Sequence, residues 1–230
     1  MWRVTPHDEA ALLQQASRLA GMTLAQLAMT LRLSIPQHTT QRKGWAGRAI
    51  EMALGAPSGN LARPDFDVLG IELKTIPMLA PGKPTQSTFI TSIPLLTIHE
   101  QTWKTSTCYA KLKRVLWIPI EDCETIPFMH RRIGQGVLWS PSAAQETILE
   151  NDWRLLTGMI ATGRLAELDA RLGEYLQVRP KGANAKSLCE ALNDAGQKVM
   201  TLPRGFYLRR LFTAQVLQVA QAPEAAFAKS

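Results

Sequence analysis

The sequence predicts a mixed α/β fold, on three observations. The first fifty or so residues place apolar side chains at helical spacing; residues 68–76, 87–93 and 114–120 are short apolar runs punctuated by Pro and Gly; and helical spacing returns from residue 142. No repeat, low-complexity tract or break in composition separates one part from another, so residues 1–230 are predicted to form a single domain.

Taken in order, residues 8–21 and 23–32 predict a helical pair, with Thr23 and Gln26 at the spacing of a capping box that opens the second helix. The polar, threonine-rich segment 37–43 leads into a third helix, KGWAGRAIEMALG, stopped by Gly55. GAPSGN reads as a loop. Residues 68–76 and 87–93 predict two strands, joined through PMLAPGKPTQ as a hairpin. Residues 114–120 predict a further strand, whose Pro119 suggests a sheet edge or a strand end. The remaining expectations are a helix over 142–171, a strand over 174–179, a loop at PKGANAKS, a helix over 185–193, a strand or extended segment at GFYLRRLF and a terminal helix over 212–227.

With 46% hydrophobic and 20% charged residues, the composition is that of an ordinary soluble globular protein. No apolar run approaches the roughly 18–20 residues needed to span a bilayer. The start, MWRVTPHDEAA, has no signal-peptide core, so a cytoplasmic protein without membrane contact is expected. Three cysteines without a Cys-x-x-Cys pair and four histidines without His-x-x-x-His spacing argue against structural zinc or a disulfide framework. A formal charge of +7 and a pI near 9.6 favour a polyanionic partner.

The chemistry concentrates in RPDFDVLGIELK, residues 63–74. On a strand, residues two apart share a face, so Glu72 and Lys74 project together while Ile71 and Leu73 point into the core. Asp65 arrives from the preceding turn. Two carboxylates converging in this way form a hard oxygen site suited to Mg²⁺, and a lysine beside them can position water and balance charge in phosphodiester hydrolysis. The same residues also fit an exposed edge strand with a surface Glu72–Lys74 pair. Other positions are equally open on residue type alone. Glu51 can pair with Arg48 one helical turn back. The basic run from Lys111 to Arg114 can face phosphate or solvent, Arg179-Pro-Lys181 can be a polar turn, and Tyr207 can be a core aromatic beside Phe206.

Pro64-Asp65, six intervening residues, then Glu72-Leu73-Lys74 is the pattern of the PD-(D/E)xK nuclease superfamily, the fold of type II restriction enzymes. KGWAGRAIEMALG, DFDVLGIELKTIP, KLKRVLWIPIE, YLQVRPKGANAK and TLPRGFYLRR, in that order, closely resemble blocks of the MutH family of methyl-directed mismatch-repair endonucleases. The resemblance implies a restriction-endonuclease-like α/β fold, with a mixed central sheet flanked by helices and two lobes around a DNA-binding cleft. It implies Asp65 and Glu72 as metal-binding carboxylates, the main-chain carbonyl of Leu73 as a further ligand, Glu51 as an additional acid at the metal, Lys74 as the catalytic lysine and Lys111 as a second active-site lysine. The implied metal is Mg²⁺, and the implied substrate is double-stranded DNA at hemimethylated GATC, nicked 5′ to the G of the unmethylated strand to leave a 5′-phosphate and a 3′-hydroxyl.

For recognition, the resemblance implies Arg179 at guanine in the major groove, Lys181 at a base or phosphate, Tyr207 as the sensor of the adenine methyl, Phe89 and Gln86 as DNA contacts, and Lys43 at a phosphate. Gln86 stands where the family carries a glutamate, and Thr107 to Ala110 lacks the family's histidine-containing approach to Lys111. Activation by the MutL ATPase, recruited through MutS, and action as a monomer are also implied. Two rival readings remain at this stage: a GATC restriction enzyme cutting both strands, and a non-cleaving helix-turn-helix protein built on TLAQLAMTLRLSIPQ.

Overall fold

The computed structural model describes residues 2–42, 44–57, 62–79, 83–182 and 186–220. The elements run α1 (Glu9–Leu19), α2 (Leu24–Leu31), α3 (Thr39–Arg42), α4 (Trp45–Ala53), β1 (Glu72–Leu79), β2 (Lys83–Pro84), β3 (Thr88–Ser92), α5 (Thr107–Leu112), β4 (Val115–Glu121) and β5 (Val137–Trp139). They continue with α6 (Ala143–Ala161), β6 (Leu176–Pro180), β7 (Cys189–Leu192), β8 (Lys198–Thr201), β9 (Arg204–Leu208) and α7 (Arg210–Ala220). The chain divides into two compact units, one of residues 1–86, 114–140 and 214–230, the other of 87–113 and 141–213. Among the described residues, no helix is long and apolar enough to cross a membrane.

The first unit is built on a four-stranded sheet in the order β2-β1-β4-β5. β1 and β4 run parallel from Glu72 opposite Val115 to Met78 opposite Glu121, and β5 pairs antiparallel with Val115–Trp117 only. β4 is therefore central. Pro119 is tolerated because it lies beyond the stretch that β5 covers, where its missing N–H breaks no ladder bond. Leu12, Leu19, Leu27, Ile50, Leu73 and Ile118 belong to one buried core that joins α1, α2 and α4 to the sheet. The capping box predicted for α2 is complete, with Gln26 N–H donating to Thr23 Oγ1 and Thr23 N–H to Gln26 Oε1. No helix-turn-helix follows it. Leu24, Leu27, Ala28 and Leu31 are buried in the core, and the next helix, α3, has only four residues.

The second unit holds a three-stranded antiparallel sheet, β3-β9-β6, and the two-stranded β7-β8 hairpin. Phe206, Leu208, Leu176 and Val178 line the buried face of the larger sheet. Asp152 of α6, itself 7% exposed, fixes the start of β6 by accepting the N–H groups of Glu174, Tyr175 and Leu176. From the other side, Arg209 donates to the carbonyls of Leu172 and Gly173.

Several expectations are corrected. The strand predicted over 68–76 begins only at Glu72, because residues 67–69 form a 3₁₀ turn that leaves Val68 96% exposed. β1 closes its hairpin with β2, while β3 leaves to pair with β9, so the two predicted strands are not hairpin partners. α6 stops at Ala161, and its apolar spacing continues into a 3₁₀ turn rather than a helix to 171. Residues 189–192 form a strand, not a helix. The Asn193 side chain accepts the N–H groups of Ala195 and Gln197 and so builds the turn of a hairpin whose strand pairing overrides helix-forming residue types.

Candidate active site and nucleic-acid interface

The six residues between Pro64-Asp65 and Glu72 form a closed loop. Phe66 N–H donates to Ile71 O at 2.9 Å and Ile71 N–H to Phe66 O at 3.2 Å, with the 3₁₀ turn and Gly70 between them. Gly70 takes φ +64°, a left-handed conformation that glycine adopts without steric cost. The chain therefore doubles back, and Asp65 Oδ2 accepts the Leu73 N–H at 2.9 Å. Because Glu72 N–H donates to Arg114 O on the β4 side, the Leu73 N–H and carbonyl face the opposite edge of β1, where Asp65 sits.

Glu72 and Lys74 share one face, as predicted, beside Val115 and Trp117 of β4. They are no surface pair. The Glu72 side chain is 1% exposed and that of Lys74 is 15% exposed, with Nζ 2.6 Å from Glu72 Oε1. A carboxylate buried this deeply demands a partner, and Lys74 supplies it. Glu51, on α4, is half-buried in the same neighbourhood. Burial pushes its carboxyl above the ordinary glutamate value, the negative charges of Asp65 and Glu72 push the same way, and Lys74 and Arg48 oppose them. Among the described residues, Glu51 makes no ion pair with Arg48, the alternative that residue type left open.

These donors are all hard oxygens: three carboxylates that raise one another's affinity for positive charge, and a main-chain carbonyl on Asp65's edge. That set fits a hard divalent cation. Among the described residues, no three Asp, Glu, His or Cys side chains already stand at ligand spacing. One carboxylate accepts the Leu73 N–H and another pairs with the Lys74 ammonium.

The basic run 111–114 separates into distinct environments. Lys111 lies at the end of α5 in the second unit and is 6% exposed; Lys113 is exposed. Arg114 pairs with Glu9, its Nε and Nη2 donating to the two carboxylate oxygens at 2.8 and 2.7 Å.

Four of the expected DNA-contacting residues meet on the non-core face of the β3-β9-β6 sheet. Phe89 stands directly across from Tyr207, their rings edge-to-face with centroids 5.3 Å apart. The Arg179 guanidinium lies 5.9 Å from the centre of the Tyr207 ring, and the Lys181 ammonium lies over Phe89. Burial pushes the Tyr207 phenol above its ordinary value, against a smaller opposite pull from Arg179, so it stays neutral as a hydrogen-bond donor. Gln86 is exposed at the end of the first unit's segment, and Lys43 lies outside the described residues.

Residues 54–152 match the family described as "DNA mismatch repair enzyme MutH". The chain is 47% identical over 215 residues to the DNA mismatch repair protein MutH of Vibrio vulnificus (strain YJ016), covering 94% of this chain and 95% of that one. It is 49% identical over 212 residues to the protein of the same name from Actinobacillus pleuropneumoniae serotype 3 (strain JL03), covering 92% and 94%. With that of Pasteurella multocida (strain Pm70) it shares 46% identity over 215 residues, covering 94% and 97%. The chain belongs to the MutH family. MutH proteins are metal-dependent DNA endonucleases of mismatch repair with a restriction-endonuclease-like fold, and the mixed sheet flanked by helices agrees with that class. Sequence reasoning passed over Asp152, which anchors the start of β6, and Ser87 and Gln177, which bond to each other across the β3-β9-β6 sheet. A buried acid among the apolar positions of a predicted helix was the signal available for Asp152; the other two are ordinary polar residues until the strands are paired.

Proposed function

We infer that the chain nicks the unmethylated strand of hemimethylated GATC sites, 5′ to the G, in methyl-directed mismatch repair. The observation that carries this reading is the return of Asp65 onto Leu73 beside the buried Glu72–Lys74 pair. Asp65, Glu72 and Glu51, with the Leu73 carbonyl, would hold Mg²⁺, which when bound polarises a phosphoryl oxygen and acidifies a water. Lys74, held by Glu72, orients the attacking water and offsets charge growing on the phosphate. Water gives up a proton and attacks at phosphorus, forming the new P–O bond as the bond to the 3′ oxygen breaks; the departing 3′ oxygen takes up a proton, leaving a 5′-phosphate and a 3′-hydroxyl. Lys111 is assigned as a second active-site lysine on the family motif alone.

Recognition draws mostly on residues of the second unit, with Gln86 of the first unit and Lys43 as further contacts. Arg179 pairs with guanine, Lys181 with a base or phosphate, and Phe89 and Gln86 contact the duplex. Tyr207 occupies the space an adenine methyl must enter. Lys43 serves a phosphate. The glutamine at 86 removes a charge that the family places there, so any contact at this position is neutral. The protein acts as a cytoplasmic monomer, and MutL, recruited by MutS, activates it. The deciding test is a Mg²⁺-dependent nicking assay on a plasmid with one hemimethylated GATC, mapping the cut strand. A single nick 5′ to the unmethylated G supports the reading; cutting of both strands at unmethylated GATC, with the hemimethylated site spared, would replace it with a restriction enzyme.

A further inference from the structure

Tyr207 stands on the middle strand of β3-β9-β6, directly across from Phe89 on one side and from Gln177 on the other. Arg179 and Gly205 form the next opposed pair on the same face. Gln177 is only 5% exposed, and a buried amide is costly unless it is hydrogen-bonded. Its Nε2 donates to Ser87 Oγ at 2.8 Å. Since Ser87 immediately precedes β3 and Gln177 lies on β6, this bond reaches across β9, the strand that carries Tyr207. On the other side, the Phe89 ring lies against Gly205: a methyl group there would stand 2.8 Å from Phe89 Cε2, closer than packed carbon atoms approach. The Tyr207 ring is thus bordered by a side-chain bridge, a seated aromatic ring and a guanidinium.

Such a border matters for sensing one methyl group. A site that can yield discriminates a single methylene-sized difference by only about 1–3 kcal/mol, whereas a ring that cannot move turns the same group into a clash. We propose that the Gln177–Ser87 bridge, together with Phe89 seated on Gly205, holds the Tyr207 ring in place and thereby sets discrimination against methylated adenine. Gln177 and Ser87 act here as positioning residues. The proposal rests on the reading of Tyr207 as the methyl sensor.

The test compares nicking of the unmethylated and methylated strands of hemimethylated GATC duplexes by the full chain with Mg²⁺, for the wild type, Gln177→Leu, Ser87→Ala, the double variant and Tyr207→Ala. Each single change should lower the strand-preference ratio by about tenfold while kcat/KM on the unmethylated strand stays within about twofold. The double variant should lose no more than the larger single loss, because both changes remove one shared bond. A preserved ratio in both single variants, whether or not overall rates fall, together with a collapsed ratio in Tyr207→Ala, overturns the positioning role. A preserved ratio in Tyr207→Ala shows instead that the sensor reading itself is wrong, and the proposal falls with it.

Discussion

Replacing Glu72 with glutamine separates the structural and catalytic roles of the buried pair. At 2.6 Å, with an effective dielectric near 20, the gross attraction between Glu72 and Lys74 is roughly 6 kcal/mol, largely offset by desolvation of both groups. Breaking such a pair from one side strands the other charge, and typical losses run to about 3–5 kcal/mol. The Lys74 side chain keeps 15% of its exposure and the glutamine can still accept its hydrogen bond, so Glu72→Gln should lose about 3 kcal/mol in urea unfolding. On the proposed assignment nicking should fall by at least about 10³-fold, because one of the carboxylates that would hold the metal and the partner that aims Lys74 disappear together. The double variant Glu72→Gln, Lys74→Met removes the stranded charge and should regain stability relative to Glu72→Gln, while nicking stays lost and duplex binding persists. Folded Glu72→Gln protein nicking at the wild-type rate would refute the active-site assignment. A double variant less stable than the sum of its single changes would refute the account of the pair.

Glu51→Gln tests the coupling among the acids. Its folded-state carboxyl lies above the ordinary value, so the ionised form is disfavoured by folding and the variant should be more stable than the wild type at neutral pH. That gain should disappear as pH falls below the ordinary glutamate range, where the carboxyl is protonated both folded and unfolded; thermal melts across pH 3–8 would read it (the interval follows from an ordinary pKa of about 4.3), and a constant gain would contradict the coupling. Tyr207→Ala should reduce strand preference by about 10- to 200-fold with unmethylated-strand nicking much less affected; equal rate losses on both strands would remove it from methyl sensing. Asp152→Ala leaves the N–H groups of Glu174, Tyr175 and Leu176 without their acceptor and should cost about 3–5 kcal/mol, measured by denaturant unfolding; a loss under about 1 kcal/mol would mean that the turn holds without it.

The parts of the molecule legible in the sequence are those set by nearby residues. The α2 capping box involves residues three apart, and the face shared by Glu72 and Lys74 follows from strand periodicity. The depth of their burial does not: it depends on β4, some forty residues away in the chain, which lays Val115 and Trp117 beside them. Residues 189–192 show the same limit. Their types suit a helix, but the turn at Asn193 and the partner strand β8 make them a strand. Arg114 is another case, since nothing local in KLKR marks it as the partner of Glu9.

The proposed cutting and reading sites therefore place different demands on the sequence. The cutting site depends on a spacing: Asp65 can reach Leu73 only because six residues close through the Phe66–Ile71 pair and turn at Gly70, so the interval between Pro-Asp and Glu-x-Lys is a geometric requirement of the loop. The reading face depends on register. Phe89, Tyr207 and Gln177 come from three separate stretches of chain and meet only when β3, β9 and β6 pair in one alignment, and a shift of one residue would send each side chain to the opposite face. Asp152 and Arg209, gripping the turn that feeds β6, are placed to hold that alignment. The proposed chemistry is thus legible from motif spacing, whereas the pairings that would hold the reading face in register, Gln177 with Ser87 and Asp152 with the start of β6, are marked by no local motif.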